Sequence, residues 1–137
     1  MSVVIDASAA LIWCFEDEAP EAADALLDSF VASGMLAPLH WPLEIANVLW
    51  VSQKRGRLTE GQAKSFIALL QALPIEIDGE TAARAFGETR MLSERHALTV
   101  YDTAYLELAM RRGAGLVSKD KALLAAAAAV GVTTIAV

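Results

Sequence analysis

The sequence predicts an α/β fold: a parallel sheet covered on both faces by helices. Three observations predict it. Short apolar, β-branched runs alternate with longer stretches of helical periodicity, and strands separated by helices pair in parallel. The chain has 137 residues, of which 55% are hydrophobic. That suits one domain spanning residues 1–137 with one sizeable core, and is too apolar for intrinsic disorder. Finally, four acids, Asp6, Glu44, Asp102 and Asp120, each open a helix or loop after a short apolar run. In an open parallel sheet, ligands bind at the carboxyl ends of the strands.

The elements follow in order. Val3–Ile5 is a β-branched run that reads as a buried strand, and residues 7 to about 15 read as a helix. Glu16, Asp17 and Glu18 form an acidic turn, and Pro20 suits the first position of the next helix. Ala23, Leu26, Leu27, Phe30 and Val31 line one face of that helix, and Gly34 ends it. Met35–Ala37 is a second strand closed by Pro38. Residues 41 to about 54 form a helix stopped near Gly56. Thr59 and Gln62 have the spacing of a capping box, which starts a helix with Ala63, Phe66, Ile67 and Leu70 on its inner face. Residues 74–78 are a third strand, 80 to about 95 a helix, and 102–112 another. Gly113 and Gly115 bracket a turn into the fourth strand, residues 116–118. An alanine-rich helix then runs to Gly131, and residues 132–137 form the fifth strand.

Composition excludes several classes. One cysteine, Cys14, permits no intrachain disulfide and suits a reducing cytoplasm. It lies in the apolar stretch ALIWCF, where core packing is its expected role. The N-terminus has no basic region, and Asp6 interrupts its apolar run, so no signal peptide is expected. The longest apolar run, residues 122–130, is too short to span a membrane. The formal net charge of −6 argues against non-specific nucleic-acid binding. It does not argue against a site in which bound metal offsets part of the acids' charge.

Each acid also has a purely structural role to weigh. Asp6, Asp102 and Asp120 stand where an N-cap would stand. Glu44 sits on a helix that is apolar nearly all round, where an unpaired carboxylate is costly. Asn47, three residues on, shares its face. Ser8 follows Asp6 by two, and Ser118 precedes Asp120 by two. Tyr101 and Tyr105 are expected to pack with tethered hydroxyls. His40 and His96 are too isolated for a zinc site. Together, four carboxylates at one sheet edge repel one another unless a cation sits between them, and the simplest such cation is Mg²⁺ or Mn²⁺. That points to metal-dependent phosphate chemistry.

Four segments resemble the PIN-domain nucleases, in particular the VapC-type toxins of toxin–antitoxin pairs. They are Asp6-Ala-Ser8, Pro42-Leu-Glu44-Ile-Ala-Asn47-Val-Leu49, Tyr101-Asp102-Thr-Ala-Tyr105-Leu-Glu-Leu-Ala109 and Leu116-Val-Ser118-Lys-Asp120. The resemblance implies a three-layer α/β/α sandwich with a five-stranded parallel sheet in the order 3-2-1-4-5. It implies a cytoplasmic Mg²⁺- or Mn²⁺-dependent endoribonuclease in which Asp6, Glu44, Asp102 and Asp120 hold the metal. Ser8, Asn47 and Ser118 would support those ligands. Metal-activated water would then cleave RNA to leave 5′-phosphate and 3′-hydroxyl ends. The implied partners are a second copy of the chain and a small, DNA-binding antitoxin lying in an apolar groove. Trp13, Phe15, Trp41 and Trp50 are candidates for those contacts, and Lys119, Lys121, Arg95, Arg111 and Arg112 for the RNA backbone.

Two alternatives stand beside this. One is a PIN-like interaction module without catalysis. The other is a phosphoaspartate receiver or phosphatase. A receiver needs paired acids after its first strand, where this chain has one, and the phosphatase pattern wants an acid at position 8, where this chain has Ser8.

Overall fold

The computed structural model of the chain describes residues 1–15 and 21–137; the expected acidic turn and Pro20 lie outside them. The elements are β1 (Val3–Ile5), α1 (Ala7–Ala10), α2 (Ala23–Ser33), β2 (Met35–Ala37), α3 (Trp41–Lys54), α4 (Glu60–Ala72), β3 (Ile75–Ile77), α5 (Thr81–Arg84), α6 (Arg90–His96), α7 (Val100–Arg112), β4 (Gly115–Ser118), α8 (Lys121–Ala129) and β5 (Thr134–Ala136). The five strands form one parallel sheet, ordered β3-β2-β1-β4-β5 and flanked by helices. β1 is central: Val3 pairs with Met35 on one side and Gly115 on the other. Its side chains are buried on both faces, which is why the run reads as continuous Val-Val-Ile rather than as an alternation.

The core packs β1, β2 and β4 against α1, α3, α7 and α8. α7 is deeply enclosed, with every residue from 103 to 109 buried. Gly113 ends it in the left-handed region at φ +62°, a conformation that favours glycine. Gly34 turns α2 into β2 at φ +99°. The capping box that opens α4 is present in both directions, Gln62 N–H to Thr59 and Thr59 N–H to the Gln62 side chain.

Five expectations change. The first helix is one α turn continued as a 3₁₀ turn over Leu11–Trp13. The helix expected from 80 to 95 is interrupted by a π turn at Ala85–Thr89, which leaves Phe86 almost fully exposed. α3 is amphipathic rather than buried all round: Ile45 and Leu49 face the core, while Leu43, Ala46, Asn47 and Trp50 are exposed. Composition alone could not distinguish an apolar surface stripe from a core face. And α7 begins before Asp102, with Thr99 as its cap. Among the aromatics, Phe15 and Trp41 are buried, Trp13 is half-buried with its indole donating to Ala23 O at 3.0 Å, and Trp50 is exposed. Tyr101, expected to pack, is also exposed. Among the described residues, no helix is long and apolar enough to cross a membrane.

Candidate active site

Asp6 follows the central strand, and its amide still donates to Val117 O across to β4 at 3.1 Å. Its carboxylate caps α1. Oδ1 accepts from the Ala9 amide at 2.8 Å and from Ser8 Oγ at 2.7 Å, and Oδ2 accepts from Ser118 Oγ. Burial pushes this carboxyl above its ordinary range; the bonds from Ser118, Ala9 and Ser8 pull partly back, and the charge of Asp120 adds to the rise.

Asp120 caps α8 in the same way, with Oδ1 accepting from the amides of Ala122 at 2.9 Å and Leu123 at 3.2 Å. Its own amide donates to Ser118 Oγ at 2.9 Å, while the Lys119 amide donates to Ser8 Oγ at 3.1 Å. The two serines therefore lace the end of β1 to the end of β4. Each hydroxyl accepts from one amide and donates to one oxygen of Asp6.

Asp102 lies in the first turn of α7 and is not its cap. Thr99 Oγ1 accepts the Asp102 amide at 3.1 Å, so the capping role open to Asp102 in the sequence belongs to Thr99. Burial again raises the carboxyl, with Asp120 and Glu44 adding to the rise and Thr99 and His40 opposing it. Glu44 lies in the first turn of α3. Burial works to raise it, but bonds from His40 Nε2 at 3.0 Å and Tyr105 Oη at 2.7 Å outweigh that and hold it below its usual range. Asn47 is exposed, and Glu44 takes its hydrogen bonds from His40 and Tyr105.

The four acids arrive from β1, α3, α7 and β4; Asp6 and Asp102 both feel the charge of Asp120, and Asp102 also feels that of Glu44. Among the described residues, no three acidic, histidine or cysteine side chains close into a preformed metal cage. The donor set is nevertheless all oxygen. Among the described residues, Glu44 Oε2 and Asp120 Oδ2 have no hydrogen-bond partner. Hard carboxylates, some left free and two raised by burial and by neighbouring acids, fit a small divalent cation that retains much of its water.

Two of the arginines expected to hold RNA are committed elsewhere. Arg111 forks between Asp78 and Glu107, both nearly buried, and also reaches Glu80 at 3.3 Å. Arg112 pairs with Glu76 at 2.5 Å. Arg95, Lys119 and Lys121 are exposed. Sequence reasoning missed His40, Tyr105 and Thr99 as members of this site. A usable signal existed: Tyr105 stands three residues after Asp102 and His40 four before Glu44, which puts each on its acid's helical face.

The PIN domain family model matches residues 3–129. The chain is 32% identical over 127 residues to Ribonuclease VapC3 of Pyrobaculum aerophilum, covering 90% of this chain and 92% of that one. Two solved structures share the fold. PAE2754 of Pyrobaculum aerophilum has a TM-score of 0.70 at 22% identity, over 98% of this chain and 83% of the other. VapBC2 of Rickettsia felis, solved bound to a DNA fragment from its promoter, has a TM-score of 0.73 at 14% identity, over 100% of this chain and 99% of the other. With sheet order, acid placement and family match in agreement, the chain belongs to the PIN-domain family and, within it, to the VapC type.

Proposed function

We propose that this chain is a Mg²⁺- or Mn²⁺-dependent endoribonuclease, the toxin of a toxin–antitoxin pair. The observation that carries the reading is the convergence of Asp6, Glu44, Asp102 and Asp120 from four separate elements at one sheet edge. The name of the 32% identical relative, Ribonuclease VapC3, supports RNA as substrate.

Asp6, Glu44, Asp102 and Asp120 would hold the cation, directly or through water. When bound, the cation supplies an acidified water near neutral pH and offsets charge on the phosphate. The protein's own part is placement. Ser8 and Ser118 fix both oxygens of Asp6, so that carboxylate cannot rotate away. The α8 N-terminus holds one oxygen of Asp120 and does not engage the other. Lys119 and Lys121 flank Asp120 and can take the RNA backbone. Because water attacks phosphorus, the ribose 2′-hydroxyl is not the nucleophile, and the products are a 5′-phosphate and a 3′-hydroxyl.

The Rickettsia felis VapBC2 complex supports an antitoxin partner with a DNA-binding part. A cleft of about 350 Å³ bounded by Trp41, Ile45, Leu49, Ile67 and Leu70 suits an apolar segment of it. A cytoplasmic homodimer completes the reading.

The test is cleavage of a structured RNA pool by antitoxin-free protein, with Mg²⁺, with chelator, and as Asp6→Asn. Metal-dependent cuts ending in 5′-phosphate, lost in the variant, are expected. A folded protein that neither cuts RNA nor binds Mg²⁺ overturns the reading in favour of an interaction module.

A further inference from the structure

Tyr105 is the largest side chain that the fold buries completely, and a buried phenol needs a partner for its hydroxyl. It finds one of the four acids. Tyr105 Oη donates to Glu44 Oε1 at 2.7 Å, across 61 residues of sequence. His40 Nε2 reaches the same oxygen at 3.0 Å and the Tyr101 carbonyl at 2.9 Å. A carbonyl oxygen only accepts, so Nε2 carries the proton and donates it to Tyr101, with Glu44 Oε1 at ion-pair distance. Oε1 thus faces both Tyr105 and His40, and Oε2 is the oxygen left to a ligand. The Ala7 amide faces the same phenol oxygen, and the phenol also feels the Asp6 charge. One hydroxyl therefore joins the turn that carries Asp6 to the helix that carries Glu44.

We infer that Tyr105, assisted by His40, is a positioning residue for Glu44. It pins one carboxylate oxygen so that Glu44 offers a single, aimed oxygen to the cation. This rests on the metal-dependent reading above and adds to it a named support for the second acid. Tyr105→Phe keeps the ring in the core and removes the hydroxyl alone. Partners of this kind typically change metal affinity about 10–100-fold. The Phe variant should also take that oxygen from the Ala7 amide, so its folding is checked by circular dichroism.

The experiment titrates the full-length, metal-free chain with Mn²⁺ alone, read by electron paramagnetic resonance. It compares wild type, Tyr105→Phe, Glu44→Gln and the double variant. Tyr105→Phe is expected to weaken Mn²⁺ binding about 10–100-fold. The same change made on Glu44→Gln should cost nothing further, because a residue that acts through Glu44 has nothing left to position. Equal loss in both backgrounds, or no loss in either, overturns the proposal. If Tyr105→Phe does not fold, His40→Gln removes the other partner of Oε1 and is read in the same cycle. If wild type binds no Mn²⁺, the metal reading fails instead. The ¹³C carboxyl shift of Glu44 then decides positioning: a shift that moves in Tyr105→Phe upholds it, and one that does not overturns it.

Discussion

Replacing Arg111 by Met should destabilise this protein more than any other single surface-accessible change described here. The guanidinium makes two bonds to Glu107, at 2.8 and 3.1 Å, and two to Asp78, at 2.7 and 3.1 Å. Asp78 and Glu107 are 4% and 5% exposed, so neither can turn to water when the arginine goes. Glu80 adds little, because its side chain is more than half exposed. Met retains much of the aliphatic packing, which isolates the charge. Removing one partner of a buried ion pair costs about 3–5 kcal/mol, mainly from the unpaired charge left behind. Urea denaturation at pH 7 should show a loss of that size. Arg112→Met is the control: its partner Glu76 is exposed, and the midpoint should hardly move. The deficit should also depend on pH. The hydrogen bond from Arg111 holds Asp78 below the usual carboxylate range. Its stabilisation is therefore complete above the unfolded value, about 4, and is lost as pH falls through the lower folded value. Wild type and variant should converge in that acidic window. A loss under about 1 kcal/mol at pH 7 would refute the reasoning, since the two carboxylates would then have other means of neutralisation.

Three further outcomes are expected. Asp6 and Asp102 are raised in the fold, so their contribution is favourable below the unfolded carboxylate range and is lost as pH rises through the folded values. Metal-free protein should lose stability over that rise, and Asp102→Asn should flatten the slope while abolishing cleavage; thermal melts with chelator across pH check both. Asp120→Ser should keep the cap of α8 yet lose cleavage, whereas Asp120→Ala should lose cleavage and about 1 kcal/mol of stability as well, measured by urea titration. Gly113→Ala should cost about 1–2 kcal/mol, because a side chain there meets no atom within 4 Å and the whole penalty is the left-handed backbone.

β1 and β2 were legible because their burial leaves an uninterrupted apolar signature, β3, β4 and β5 because Pro74, Gly113 and Gly131 mark the turns into them, and α3 because Gly56 stops it. Asp6 and Asp120 were legible together because a parallel sheet gathers the ends of its neighbouring strands β1 and β4. What stayed hidden is long-range or geometric. Tyr105 and Glu44 are 61 residues apart, and Arg111 and Asp78 are 33 apart, separations that no periodicity spans. The exposure of Leu43 and Trp50 was hidden because an apolar stripe reads the same whether it meets core or surface. The start of α7 was placed at Asp102, two residues late, because Val100 and Tyr101 read as part of the apolar run before it, yet they belong to the helix that Thr99 caps.

The strands of this sheet are only three or four residues long. Each residue advances about 3.3 Å and alternates face, so adding one to β1 would lift Asp6 by that distance and swing it toward the opposite layer. The two serines that lace Asp6 to β4 could not follow. Point changes at the acids thus retune the chemistry in place, while length changes in β1 or β4 dismantle it. Over evolutionary time the frame of these two segments should be the most rigidly counted stretch of the chain, with insertions diverted to turns such as residues 55–58, where nothing at the site is measured from the backbone.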